Sequence, residues 1–111
     1  MNEMKESVSA VELAAWLKSD KPPRLLDVRE PEEFAICSLP GAVLMPLGQV
    51  PDQVEEIENW REEPVVVYCH HGMRSLHAIQ FLRHAGFTKL VNLSGGIDAW
   101  AREVDAKMQR Y

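Results

Sequence analysis

Apolar positions along this chain alternate between short continuous runs and helical stripes. Ser9 and Glu12 form a capping-box pattern, and Val11, Leu13, Ala14, Trp16 and Leu17 then make an apolar stripe, so the spacing predicts a helix over 10–18. Pro22 and Pro23 stop it, and the apolar run 24–28, ending in charge, reads as a buried strand reaching a sheet edge. Pro31 with Glu32 and Glu33 suits the first turn of a short helix carrying Phe34 and Ile36. After the Pro40-Gly41 turn, 42–45 is a strand broken by Pro46. Val50, Val54, Ile57 and Trp60 recur at helical intervals, which predicts a mostly helical stretch over 47–60 despite Gly48 and Pro51. The β-branched run 65–68 is the central strand, uninterrupted because both of its faces are covered. A helix to about His84 follows, closed by Gly86 in a position that tolerates positive φ. Residues 89–93 form the next strand, Gly95-Gly96 a turn, and Ile97, Trp100, Ala101 and Val104 the inner face of a last helix.

Strand and helix by turns imply an α/β fold, a mainly parallel central sheet with helices on both faces. At 111 residues the chain is expected to form one domain over 1–111, with a flexible start at 1–7. A hydrophobic share of 46% against a charged share of 26% excludes a disordered chain. The net charge of −5 argues against nucleic acid as a partner, while leaving room for a local cationic pocket. The polar start and the lack of any long apolar run predict no membrane association and a cytoplasmic chain, in which Cys37 and Cys69 are free thiols.

Chemistry concentrates after the central strand, in Cys69-His70-His71-Gly72-Met73-Arg74-Ser75. Ligands of such folds gather beyond the carboxyl ends of the strands, and Cys69 stands at such an end, just before a helix. Free N–H groups, the positive end of the helix dipole and a nearby guanidinium all favour an anion there, whether a thiolate or a bound oxyanion. The motif is C-x4-R, and a short loop drawn into an arc aims successive N–H groups at one point, with Gly72 permitting the φ angles the arc needs.

This loop, together with Leu25-Leu26-Asp27-Val28-Arg29-Glu30-Pro31-Glu32-Glu33-Phe34, Leu39-Pro40-Gly41-Ala42 and Gly95-Gly96-Ile97-Asp98-Ala99-Trp100, resembles the landmarks of the rhodanese family of single-domain sulfurtransferases, in that family's order. The resemblance spans nearly the whole chain. It implies a rhodanese-like three-layer fold and a double displacement. Cys69 takes a sulfane sulfur from a small anionic donor such as thiosulfate, holds it as a persulfide, and passes it to cyanide, a small thiol or a protein acceptor. No metal and no organic cofactor is expected. One alternative is a persulfide relay or binding module fed by a partner protein. A rhodanese-like phosphatase or arsenate reductase is disfavoured, because phosphatases of this architecture resemble the chain but carry a longer C-x5-R loop. The chain departs from many members in having Cys37-Ser38 where they carry Gly-His.

Each residue also has a plainer reading. Cys69 could be a buried core thiol, and Arg74 could fix a helix end, brace the loop or face the anion. His70 and His71 suggest a metal site, but adjacent ligands on a short loop leave no fourth donor, so they are expected to line the mouth, where partial protonation would attract an anion. Met73 either packs or forms an apolar rim. Arg29 points to the pocket, as the resemblance suggests, or pairs with Glu32 or Glu33; Asp27 binds loop backbone as a structural or second-layer group. Cys37 is a small half-buried residue, and Trp16, Trp60 and Trp100 belong to the core.

Overall fold

The computed structural model describes residues 6–111. Strands β1 (Ser7–Val8), β2 (Arg24–Asp27), β3 (Val43–Leu44), β4 (Val65–Tyr68) and β5 (Leu90–Leu93) form one sheet in the order β1-β5-β4-β2-β3, with every pairing parallel. The helices are α1 (Ala10–Leu17), α2 (Pro31–Ile36), α3 (Val50–Gln53), α4 (Met73–His84) and α5 (Gly96–Glu103). The α/β reading holds, and so do most element boundaries.

The capping box opens α1 as its sequence requires: the Ser9 hydroxyl accepts the Glu12 N–H at 3.0 Å and the Glu12 carboxylate accepts the Ser9 N–H at 2.9 Å. Gly86, at φ +101°, closes α4. Two expectations need correction. Residues 47–60 are not one helix; α3 is a single turn between 3-10 segments Leu47–Gln49 and Val54–Trp60, with Ile57 off helical geometry at φ −118°. Pro51 lies in the first turn of α3, where it is tolerated, and the apolar stripe survives because short helical pieces bury it as well as a long helix would. The flexible start also proves too long: Ser7 pairs with Asn92 in the sheet, and the Glu6 carbonyl accepts the Asn92 N–H at 2.9 Å. The rest of that expectation, on residues 1–5, lies outside the described residues.

Strand periodicity sorts the core into two layers. Leu26, Val28, Val65, Val67, Cys69 and Leu90 face Ala78, Ile79 and Leu82 of α4 with Met45, Val50, Ile57 and Trp60. Leu25, Val66, Tyr68, Val91 and Leu93 face Leu13 of α1 and Ile97 and Trp100 of α5. Truncating a fully buried leucine such as Leu26 or Leu82 to alanine would cost about 2–5 kcal/mol. Trp60 and Trp100 are core residues, as expected; Trp16 is half-buried, with its indole N–H given to the Lys21 carbonyl. Among the described residues no helix is long and apolar enough to cross a membrane.

Candidate active site

Cys69 follows β4 directly and is almost completely buried, on the α4 face of the sheet. The chain then turns through Gly72, at φ +120°, and enters α4 at Met73. That turn brings the Gly72 N–H to 3.0 Å from the Cys69 sulfur, with the Ser75 hydroxyl 3.6 Å from it. Burial pushes the thiol pKa up. Hydrogen bonds from the Ser75 hydroxyl and from the backbone N–H groups of Ser75, Gly72 and Arg74 outweigh it and hold the thiol below its ordinary value. The arc of donors is thus a fixed dipolar cradle that favours an anion on sulfur.

The carbonyls of the same loop face the other way. Those of Cys69 and His70 accept the backbone N–H groups of Ile97 and Asp98 at 2.9 and 3.1 Å, tying the start of α5 to the loop. Gly96 makes this approach possible. A Cβ there would lie 2.3 Å from the His70 carbonyl oxygen and 2.5 Å from that of Cys69, and its φ is +61°.

Arg29 does not face the sulfur. It lies on the α1/α5 side of the sheet, over the Tyr68 ring at 5.6 Å, and is wholly buried. Its guanidinium binds both Asp27 carboxylate oxygens, the carbonyls of Glu33 and Cys37, and the Tyr111 hydroxyl. Burial alone would lower its pKa, but bonds to Asp27 and Tyr111 raise it, so the charge stays fixed. The expected partner Glu32 or Glu33 carboxylate is replaced by Asp27, because residues two apart at a strand end share a face. Asp27 also accepts the Arg29 backbone N–H at 2.9 Å, in keeping with its structural reading.

Arg74 spans the mouth. Its guanidinium forks onto the Glu33 carboxylate of α2 at 2.6 and 2.9 Å, which raises its own pKa and holds Glu33 down to about 2. Of the three roles left open for Arg74, this geometry is a brace between α4 and α2. Sequence reasoning missed Tyr111. Its hydroxyl donates to Glu33 at 2.8 Å and accepts from Arg29 at 2.8 Å, while its ring stacks on His70 at 4.0 Å. Desolvation pushes its pKa up to about 12, keeping it a donor. Asn92 was also missed; it is a buried polar residue inside an apolar strand and touches the Ser75 hydroxyl.

His70 and His71 do stand at the mouth. However, burial and the neighbouring His71 lower the His70 pKa, so the expected partial protonation is not favoured at His70. His70, His71 and Asp98 bring donor atoms within 4.8 Å of one another, and these are the residues that could hold a metal. Two guanidinium groups, Arg110 at 3.0 Å and Arg102 at 3.1 Å, already neutralise Asp98, and a cation would have to displace them. Met73 is 67% exposed and forms rim rather than core. Cys37 is half-buried and Cys69 buried; both are free thiols.

A family model described as a rhodanese-like domain matches residues 9–103. The chain belongs to the rhodanese family of sulfurtransferases. Its sequence is 35% identical over 99 residues to a sulfurtransferase of Allochromatium vinosum, covering 89% of this chain and 91% of that protein. The Mycobacterium tuberculosis protein MoeZ, named for adenylyltransferase and sulfurtransferase activity, is 34% identical over 95% of this chain, which spans only 27% of MoeZ. Among solved structures, the human single-domain sulfurtransferase TSTD1 superposes with a TM-score of 0.76 at 30% identity, covering 89% of this chain and 97% of that one. The rhodanese-like α/β architecture expected from the sequence is therefore the architecture found.

Proposed function

We propose that this protein moves sulfane sulfur through a persulfide on Cys69, with thiosulfate as a competent donor and cyanide or a thiol as acceptor. The observation that carries the reading is the set of backbone N–H groups and the Ser75 hydroxyl converging on a single buried sulfur at a strand end. In the first half-reaction the Cys69 thiolate attacks the outer sulfur of thiosulfate. The sulfur–sulfur bond of the donor breaks, and sulfite leaves with the electron pair. The negative charge now rests on the terminal persulfide sulfur, where the loop N–H groups can stabilise it as they did the thiolate. In the second half-reaction the acceptor attacks that terminal sulfur. With cyanide, thiocyanate departs and the Cys69 thiolate is restored. Charge and atoms balance in both halves, one soft anion replacing another, so the cycle needs neither metal nor organic cofactor.

A protein-fed relay is the second reading, favoured by one observation: Met73 and Leu76, in the first turn of α4, are 67% and 44% exposed and offer an apolar rim to a partner. Phosphoryl or arsenate chemistry is not favoured, since the C-x4-R loop is one residue shorter than that chemistry uses in similar folds. Steady-state thiocyanate production separates the first two readings. Saturable turnover of thiosulfate, abolished in Cys69→Ser with the fold retained, is expected. Normal turnover in that variant would sink the role of Cys69, and persulfide formation only from a protein donor would move the assignment to the relay.

A further inference from the structure

The Ser75 hydroxyl has one proton and three neighbours able to take it. It lies 3.0 Å from the Gly72 carbonyl, within hydrogen-bonding distance of Asn92 Oδ1, and 3.6 Å from the Cys69 sulfur. While Cys69 is a thiol, its S–H can donate to Ser75 Oγ, and the hydroxyl proton goes to Asn92 or to Gly72. A thiolate or a persulfide anion accepts only, so the Ser75 proton must turn toward sulfur. Asn92 Oδ1 would then meet a lone pair of Ser75 with no proton between them. A carboxamide removes that conflict by a half-turn about its last bond, which exchanges the acceptor for an N–H donor.

We propose that Asn92 is a positioning residue for Cys69, its amide accepting the Ser75 proton in the thiol state and turning to donate to Ser75 Oγ when the sulfur is anionic. The proposal rests on the reading of Cys69 as a working thiolate. Three features of the structure support it. Asn92 is the polar member of the run Leu90-Val91-Asn92-Leu93 and is only 7% exposed, a placement that costs free energy unless the amide is hydrogen-bonded. It is in register with Val67 of β4, two residues before Cys69, and so shares the sulfur's face of the sheet. Its Nδ2 is also the nearest atom, at 3.6 Å, to where a Cβ on Gly72 would lie, so the amide packs directly on the catalytic turn.

The test is a pH titration of the Cys69 thiolate by ultraviolet absorbance, with the Cys69→Ser spectrum subtracted and folding followed by thermal melting. Titratable and charged groups around the loop include His70, His71 and Arg74, Glu33 on α2, Asp98 and Arg102 on α5, Asp27 and Arg29 at the end of β2, Tyr68 on β4, and Tyr111, with His77 further along α4. These stay unchanged across the variant set. Asn92→Leu, which can neither donate nor accept, is expected to raise the thiol pKa by about one unit. Asn92→Asp keeps the shape and, when ionised, only accepts while setting a like charge beside the sulfur, so it should raise it further. Ser75→Ala should raise it about as much as Asn92→Leu, and the double variant should show no further shift. An unshifted pKa in both Asn92 variants overturns the proposal, as does a full additional shift from Asn92→Leu on the Ser75→Ala background. Should the leucine variant not melt cooperatively, Asn92→Ala, which likewise lacks donor and acceptor, takes its place on both backgrounds. No sulfur donor enters this measurement, so a failure of the Asn92 role is distinguishable from a failure of thiosulfate turnover.

Discussion

Two strand-to-helix turns sit side by side at the carboxyl edge of the sheet, one after β4 and one after β5, and they use the same backbone chemistry for opposite ends. The turn into α4 directs N–H groups inward at a cysteine sulfur. The turn into α5 gives its N–H groups to the carbonyls of the first turn, at Cys69 and His70. One turn gathers donors on a buried sulfur, and its neighbour holds that turn in shape by occupying the carbonyls that would otherwise be free to point at an anion. On the proposed function, the shape of the Cys69 turn depends on a glycine with no side chain, 27 residues further along the chain.

Substituting the two glycines separates these roles. Gly96→Ala should have the largest effect, because its Cβ would sit 2.3 Å from a backbone oxygen at a positive φ. A loss of about 3 kcal/mol is expected, with a fall in turnover of tenfold or more, on the order of what a misplaced catalytic turn costs. Gly72→Ala has no contact shorter than 3.6 Å at its Cβ, so only its φ of +120° is strained, and about 1–2 kcal/mol should be lost. Thermal unfolding and thiosulfate turnover on both variants check the order. Equal effects would mean that the buttress adds nothing beyond glycine's backbone freedom.

The brace across the mouth should matter less, and its contribution should vanish in acid. Glu33 titrates near 4.5 when unpaired and at about 2 when folded, held down by Arg74. A depressed carboxylate adds stability above the unfolded value and loses it as pH falls through the folded one, so this contribution should fade between pH 4.5 and 2. Melting temperatures of wild type and Glu33→Gln should differ at neutral pH and converge across that window. A constant gap would contradict the pairing. Tyr111→Phe is expected to be smallest, under about 1 kcal/mol, since it removes one hydroxyl while leaving the ring on His70 and the Glu33 carbonyl on Arg29. A loss as large as that of Gly96→Ala would show Tyr111 to be a keystone of the site.

The contrast between these regions also explains what was legible in the sequence. Cys69 and its loop announce themselves because strand, glycine, arginine and helix are contiguous, and local spacing carries the geometry. Arg29 was harder, although strand periodicity places it with Tyr68 and Asp27, on the face opposite the sulfur. The partners of Arg74 and Ser75 are not local. Glu33 is 41 residues from Arg74 and Asn92 is 17 from Ser75, and only the folded sheet brings them together. The stretch 47–60 misled because an apolar stripe reports which residues are buried, not whether one continuous helix buries them.

The central claim is that the turn after β4 makes Cys69 a thiolate able to hold a sulfur atom. Intact-mass spectrometry of the protein after thiosulfate, then after cyanide, beside Cys69→Ser, tests it most directly. The account predicts the gain of one sulfur atom, removed by cyanide and absent from the variant. An unchanged mass on folded wild-type protein, or the same gain in the Cys69→Ser variant, would contradict it.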